Sequence, residues 1–113
     1  MIRTINQDAV KFALERMDAG FYGINTVWKI NAPTPEKIDS FKAEQGEEAL
    51  SKWFLVVQST DHGNEYLYPI GDFRNVHRSG VQVAKQEAVR DGDTELAEAA
   101  DTILDMFDRM NAC

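Results

Sequence analysis

The sequence predicts an α+β fold: a small, at least partly antiparallel sheet with a β-hairpin, packed against helices in the order α-β-α-β-β-α-α. Three observations carry this. Two short segments rich in apolar and aromatic residues, 52–60 and 65–70, flank the turn-forming run Asp61-His62-Gly63-Asn64, which is the pattern of a hairpin. Near the C-terminal end Leu96, Ala99, Ala100, Ile103, Leu104, Phe107 and Met110 recur at helical spacing and form a broad apolar face. Near the beginning Ala9, Val10, Ala13, Leu14 and Met17 do the same.

In chain order, Asn6 is the expected N-cap of the first helix and Gly20 its stop, with Phe12 off the apolar stripe and therefore placed to meet a neighbouring element. Residues 24–30 alternate, Ile24, Thr26, Trp28 and Ile30 against Asn25, Val27 and Lys29, which predicts a half-buried strand ended by Pro33. Thr34-Pro35-Glu36 starts a second helix with Ile38 and Phe41 inward, limited by Gly46 and extended by a further turn over 47–50. Residues 52–60 place Trp53, Leu55 and Val57 on one face and Phe54 and Val56 on the other, so this strand is central and covered on both sides. Pro69 puts the returning strand at an edge, because proline cannot donate to a ladder. The next helix begins at Asp72 or at Ser79, whose spacing to Gln82 resembles a capping box. Arg90, Asp91, Gly92 and Asp93 end it and cap the last helix.

One domain is expected from 113 residues, since a chain of this size supports one ordinary core. The only cysteine is Cys113, so neither an internal disulfide nor a cysteine-based zinc site is available, and Cys113 is read as an inert terminal thiol. The longest fully apolar run, 53–57, is far too short to cross a membrane, and Asp8, Glu15 and Asp18 interrupt the stretch a signal peptide would need. A cytoplasmic protein without membrane contact is the expectation.

The formal charge is −7, and its distribution is uneven. Residues 1–90 hold 12 acids and 11 bases, whereas 91–113 hold seven acids and only Arg109. Such a field disfavours direct nucleic-acid binding, which relies on Lys and Arg to displace counterions. Glu98, Asp101, Asp105 and Asp108 fall on one stripe of the last helix, opposite its apolar face, with no cation spaced within the stripe. Like charges one turn apart oppose helix formation by a few tenths of a kcal/mol per pair, so the stripe is either a solvated face or a surface for a basic protein partner. If the preceding helix starts at Asp72, Arg74, Arg78 and Lys85 form a basic stripe, a candidate anion site unless acids of a neighbouring element neutralise it. Tyr66 and Tyr68 share a face of the edge strand and are candidates for contact with a partner or with a second copy of the chain, as in a homodimer.

Chemistry is less well represented. Asp91, Asp93 and Glu95 start like a calcium loop, but Leu96 and Thr102 occupy the positions that need glycine and glutamate. No phosphate loop, nucleophile elbow, HExxH or CxxC motif is present, and no metal or cofactor is expected. His62 reads as a turn residue, and His77 as a partly buried structural residue on the inner side of its helix. The sequence therefore points first to a non-enzymatic interaction or regulatory module, an inhibitor or adaptor presenting its acidic last helix to a basic partner. The alternative is a small enzyme or ligand-binding protein that brings His62 or His77 together with Asp61 or Asp72 beside the sheet.

Overall fold

The computed structural model describes residues 2–111, so Cys113 lies outside the described residues. The first half contains β1 (Ile2–Ile5), α1 (Gln7–Asp18), β2 (Tyr22–Gly23), α2 (Trp28–Asn31), α3 (Pro35–Gln45) and α4 (Glu47–Ser51). The second half contains β3 (Phe54–Thr60), β4 (Gly63–Pro69), β5 (Val76–His77), α5 (Arg78–Asp91) and α6 (Thr94–Asn111). The α+β class and the antiparallel hairpin packed against helices are as the sequence predicts.

β3 is the middle strand of a three-stranded antiparallel sheet ordered β1-β3-β4. Its apolar residues on both sides explain the place: Phe54, Leu55 and Val56 are all buried. The hairpin pairs Phe54 with Pro69 and Thr60 with Gly63, which leaves β4 at an edge. Gly63, at φ +113°, adopts a turn conformation that side chains disfavour. Tyr68 also departs from extended geometry, at φ +61°, and the Leu55–Tyr68 pairing drops out of an otherwise continuous ladder.

Several elements differ from the sequence expectation, the short strands β2 and β5 among them. Residues 2–5 form β1, antiparallel to β3 with Ile5 opposite Val56, a strand the reading missed. No strand forms over the stretch 24–30: β2 ends at Gly23, just before it, and the single-turn α2 begins at Trp28 within it. Its alternation is overridden because Trp28 turns inward onto Gly80, where an added Cβ would lie 2.8 Å from the indole ring. The carbonyl of Val27 accepts the N–H groups of Ile30 and Asn31 and the Asn31 side-chain amide, which fixes the turn.

β2 pairs in parallel with β5, Tyr22 beside Val76 and Gly23 beside His77. Ala9, Val10, Ala13 and Met17 of α1 are buried, with Leu96, Ala100, Ile103 and Phe107 of α6 in the same apolar cluster. Phe12 meets Trp53 edge-on, ring centroids 5.2 Å apart. Asn6 precedes α1 but does not cap it with its side chain; its amide donates to the carbonyls of Ser51 and Phe54. Gly92, left-handed at φ +71°, ends α5, and the Asp93 carboxylate accepts the Leu96 N–H at 3.1 Å to open α6.

α5 starts at Arg78, which corrects two expectations at once. Arg74 lies in the preceding turn, so Arg74, Arg78 and Lys85 do not form one helical stripe. His77 belongs to β5 rather than to the inner face of a helix.

Candidate functional site

Two stretches of chain, 23–28 and 72–79, converge around His77. The turn after β4 begins at Asp72, whose Oδ1 accepts the backbone N–H groups of Arg74 (3.1 Å) and Asn75 (2.8 Å). Phe73 occupies the left-handed region at φ +70°, with its ring stacked on Phe41 and set edge-on to Trp53. The turn is thereby fixed, and the other oxygen, Oδ2, reaches His77 Nε2 at 3.0 Å. On the far side of the imidazole, Nδ1 lies 2.8 Å from Thr26 Oγ1, which is 3.4 Å from Ser79 Oγ. Gly23 is needed here, because a Cβ would fall 2.8 Å from the Thr26 methyl and 2.9 Å from His77 Nδ1.

The proton positions follow from the partners. A carboxylate only accepts, so Nε2 carries the imidazole hydrogen and donates it to Asp72. In the neutral imidazole Nδ1 is then an acceptor and takes the Thr26 hydroxyl hydrogen, which leaves the Thr26 oxygen to receive that of Ser79. Burial works to raise the Asp72 pKa, but the Asn75 N–H, His77 and the Arg74 N–H outweigh it and hold the carboxyl below its ordinary value. The chain of groups runs outward: His77 is 3% exposed, whereas Thr26 and Ser79 are half-buried.

Trp28 joins this site to a second feature. Its indole tilts against the imidazole, centroids 6.1 Å apart, and also forms one end of a groove of about 340 Å³ between α5 and β4. Leu67, Tyr68, Pro69 and Val83 line the groove, and Glu87 is the one charged residue in its wall. Glu87 has no ion-pair partner among the described residues.

No family model matches this chain, and no curated protein or solved structure is significantly similar to it.

The acidic stripe and two of the predicted cations face each other. Lys85 pairs with Asp101 at 2.5 Å and Arg78 with Asp108 at 3.3 Å, across the α5–α6 packing. Glu98 and Asp105 remain exposed. Arg74 is exposed, and its carbonyl receives a hydrogen bond from the Arg16 guanidinium, which itself lies 4.1 Å over the Phe21 ring. Tyr66 packs against Phe54, and burial together with nearby Glu47 pushes its phenol up. Tyr68 lies beneath Arg3, 5.4 Å from ring centroid to guanidinium carbon. His62 and Asp61 are exposed at the hairpin turn, remote in role from His77. Among the described residues no three His, Cys, Asp or Glu side chains gather as a metal site.

Sequence reasoning paired His77 with Asp72 as an alternative but missed Thr26 and Ser79 as its other partners, and Trp28, Val83 and Glu87 as a groove. The Asp72–His77 spacing was visible; Thr26 and His77, 51 positions apart, share no local signal.

Proposed function

We propose that this protein is an interaction or regulatory module that holds a partner segment in the groove between α5 and β4. The observation that carries the reading is the character of that groove: apolar walls from Trp28, Leu67, Pro69 and Val83, with one carboxylate, Glu87, lacking a counter-charge. Val83 is 36% exposed, more than a side chain lining a packed interior would be. An aliphatic or aromatic anchor with a neighbouring Lys or Arg complements this lining, and the protein's charge of −7 draws a basic partner toward it. The partner is thus of the basic kind expected from the acidic last helix, but the docking face is different, since Asp101 and Asp108 already engage α5. Glu98 and Asp105 contribute the longer-range field.

Addition of a partner strand along the β4 edge is disfavoured. Pro69 has no N–H to offer, and Tyr68, left-handed at φ +61°, breaks the extended geometry a new strand would pair with, although the β3–β4 register is the same on either side of it.

A random peptide display selection tests the reading. Enriched peptides should share an apolar anchor beside a basic residue, lose binding to Val83→Arg, and weaken on Glu87→Gln and with salt. Failure to enrich any peptide, or binders indifferent to Val83→Arg, would remove the groove as the docking face.

A further inference from the structure

The Thr26–His77–Asp72 arrangement has a chemical consequence that docking does not use. A hydroxyl hydrogen-bonded to an imidazole, whose second nitrogen donates to a carboxylate, is the arrangement by which serine and threonine become nucleophiles. Here the base is Nδ1 and the carboxylate sits on Nε2, but the roles are the same: Asp72 fixes the tautomer and orientation, Nδ1 stands ready for the proton, and Thr26 Oγ1 is the reacting atom. Burial follows the order this requires. The base is sealed at 3% exposure by Gly23 and Trp28, and Thr26 at the outer end is a half-buried residue. Holding the base so firmly takes a left-handed phenylalanine next to Asp72 and a glycine at position 23 with no space for a methyl group.

We propose that Thr26 is a reactive nucleophile that accepts the acyl group of small, uncharged esters and passes it to water. Oγ1 attacks the ester carbonyl carbon while its proton moves to His77 Nδ1. The tetrahedral adduct collapses, the bond to the alcohol oxygen breaks, and that oxygen takes the proton from Nδ1. Water then attacks the Thr26 ester, with Nδ1 accepting a proton from the water and returning it to Oγ1 as the acid departs. Ester and water are consumed; acid and alcohol are formed. An uncharged substrate is preferred to a phosphate ester because Asp72 lies behind the imidazole and the whole chain carries −7.

This inference goes beyond the docking role and stands independently of it. The probe is p-nitrophenyl acetate, with release of p-nitrophenol followed in the first turnover and the acetylated residue located by peptide mass spectrometry. The expected result is a burst approaching one equivalent, with acetyl on the peptide carrying Thr26. Thr26→Ser should keep the burst, Thr26→Val should abolish it, and His77→Gln should slow it on the order of 10²-fold or more. His62→Gln, at the exposed hairpin turn, should leave it unchanged. Thermal melting establishes that Thr26→Val is folded, and Thr26→Ser decides the matter if it is not: a folded Thr26→Ser variant without a burst overturns the proposal. So does a wild-type protein with no release above buffer, or acetylation confined to lysines at a rate that Thr26→Val matches.

Discussion

The Phe41 and Phe73 rings lie nearly parallel, 12° apart in plane and 4.5 Å between centroids. This contact keeps Phe73 in a left-handed conformation that costs about 1–2 kcal/mol for a residue with a side chain. Phe73→Gly removes the strain and the ring together. Truncating a large buried aromatic side chain costs about 3–5 kcal/mol, and Phe73 is half-buried, so a net destabilisation of about 2 kcal/mol is expected by urea denaturation. Net stabilisation would mean that the stack does not hold the turn.

Two glycines that both exclude a methyl group should respond differently. At Gly71 a Cβ would sit 2.1 Å from the Asn75 carbonyl oxygen, which is backbone in a closed turn, and Gly71→Ala should cost about 3 kcal/mol. At Gly80 the obstacle is the half-buried Trp28 ring, which can move, and alanine is favoured over glycine inside a helix by about 1 kcal/mol. Gly80→Ala should therefore change stability by less than about 1 kcal/mol while red-shifting Trp28 emission, measured in a Trp53→Phe background.

The depressed Asp72 pKa fixes the sign of a pH effect. A carboxyl that titrates lower in the folded than in the unfolded chain adds stability above its unfolded pKa, and this stability is lost as pH falls through the folded value. Denaturation of wild type and Asp72→Asn across pH should show a constant gap at neutral pH. The gap should begin to close below the ordinary carboxylate value of 3.8 and continue closing at lower pH. A gap that widens on acidification would contradict the depressed value.

The pairs across α5 and α6 are partly exposed, with side-chain accessibilities of 30% and 47% for Lys85 and Asp101. Double-mutant cycles should give a coupling of about 0.2–1 kcal/mol for Lys85–Asp101 and less for Arg78–Asp108, whose acid is 63% exposed. Both should diminish with added salt. Their effect on α6 is larger in kind than in size, because they separate Asp101 from Asp105 as equivalent unpaired charges.

The hairpin and α6 were legible because their signals are local. Alternation in β3, turn residues at 61–64 and the apolar spacing of Leu96, Ala100, Ile103 and Phe107 each lie within one element. β1 was missed because four residues, Ile-Arg-Thr-Ile, make a strand only through β3, more than 50 positions away. The stretch 24–30 was misread because its alternation is real but loses to the fit of Trp28 against Gly80, a long-range contact. The candidate site was half visible: Asp72 and His77 lie five residues apart, whereas Thr26 approaches only through the parallel pairing of β2 with β5.

That pairing also bears on the order in which the protein assembles. The hairpin closes over two residues and α5 meets α6 across Gly92 and Asp93, so both form at small entropic cost. Joining Tyr22 to Val76 in parallel encloses more than 50 residues, including the whole hairpin, for a ladder only two residues long. Such a closure gains little until the surrounding core is in place. The imidazole of His77 should therefore be among the last groups to find its partners during refolding, and its NMR signal would time the completion of the native state rather than its onset.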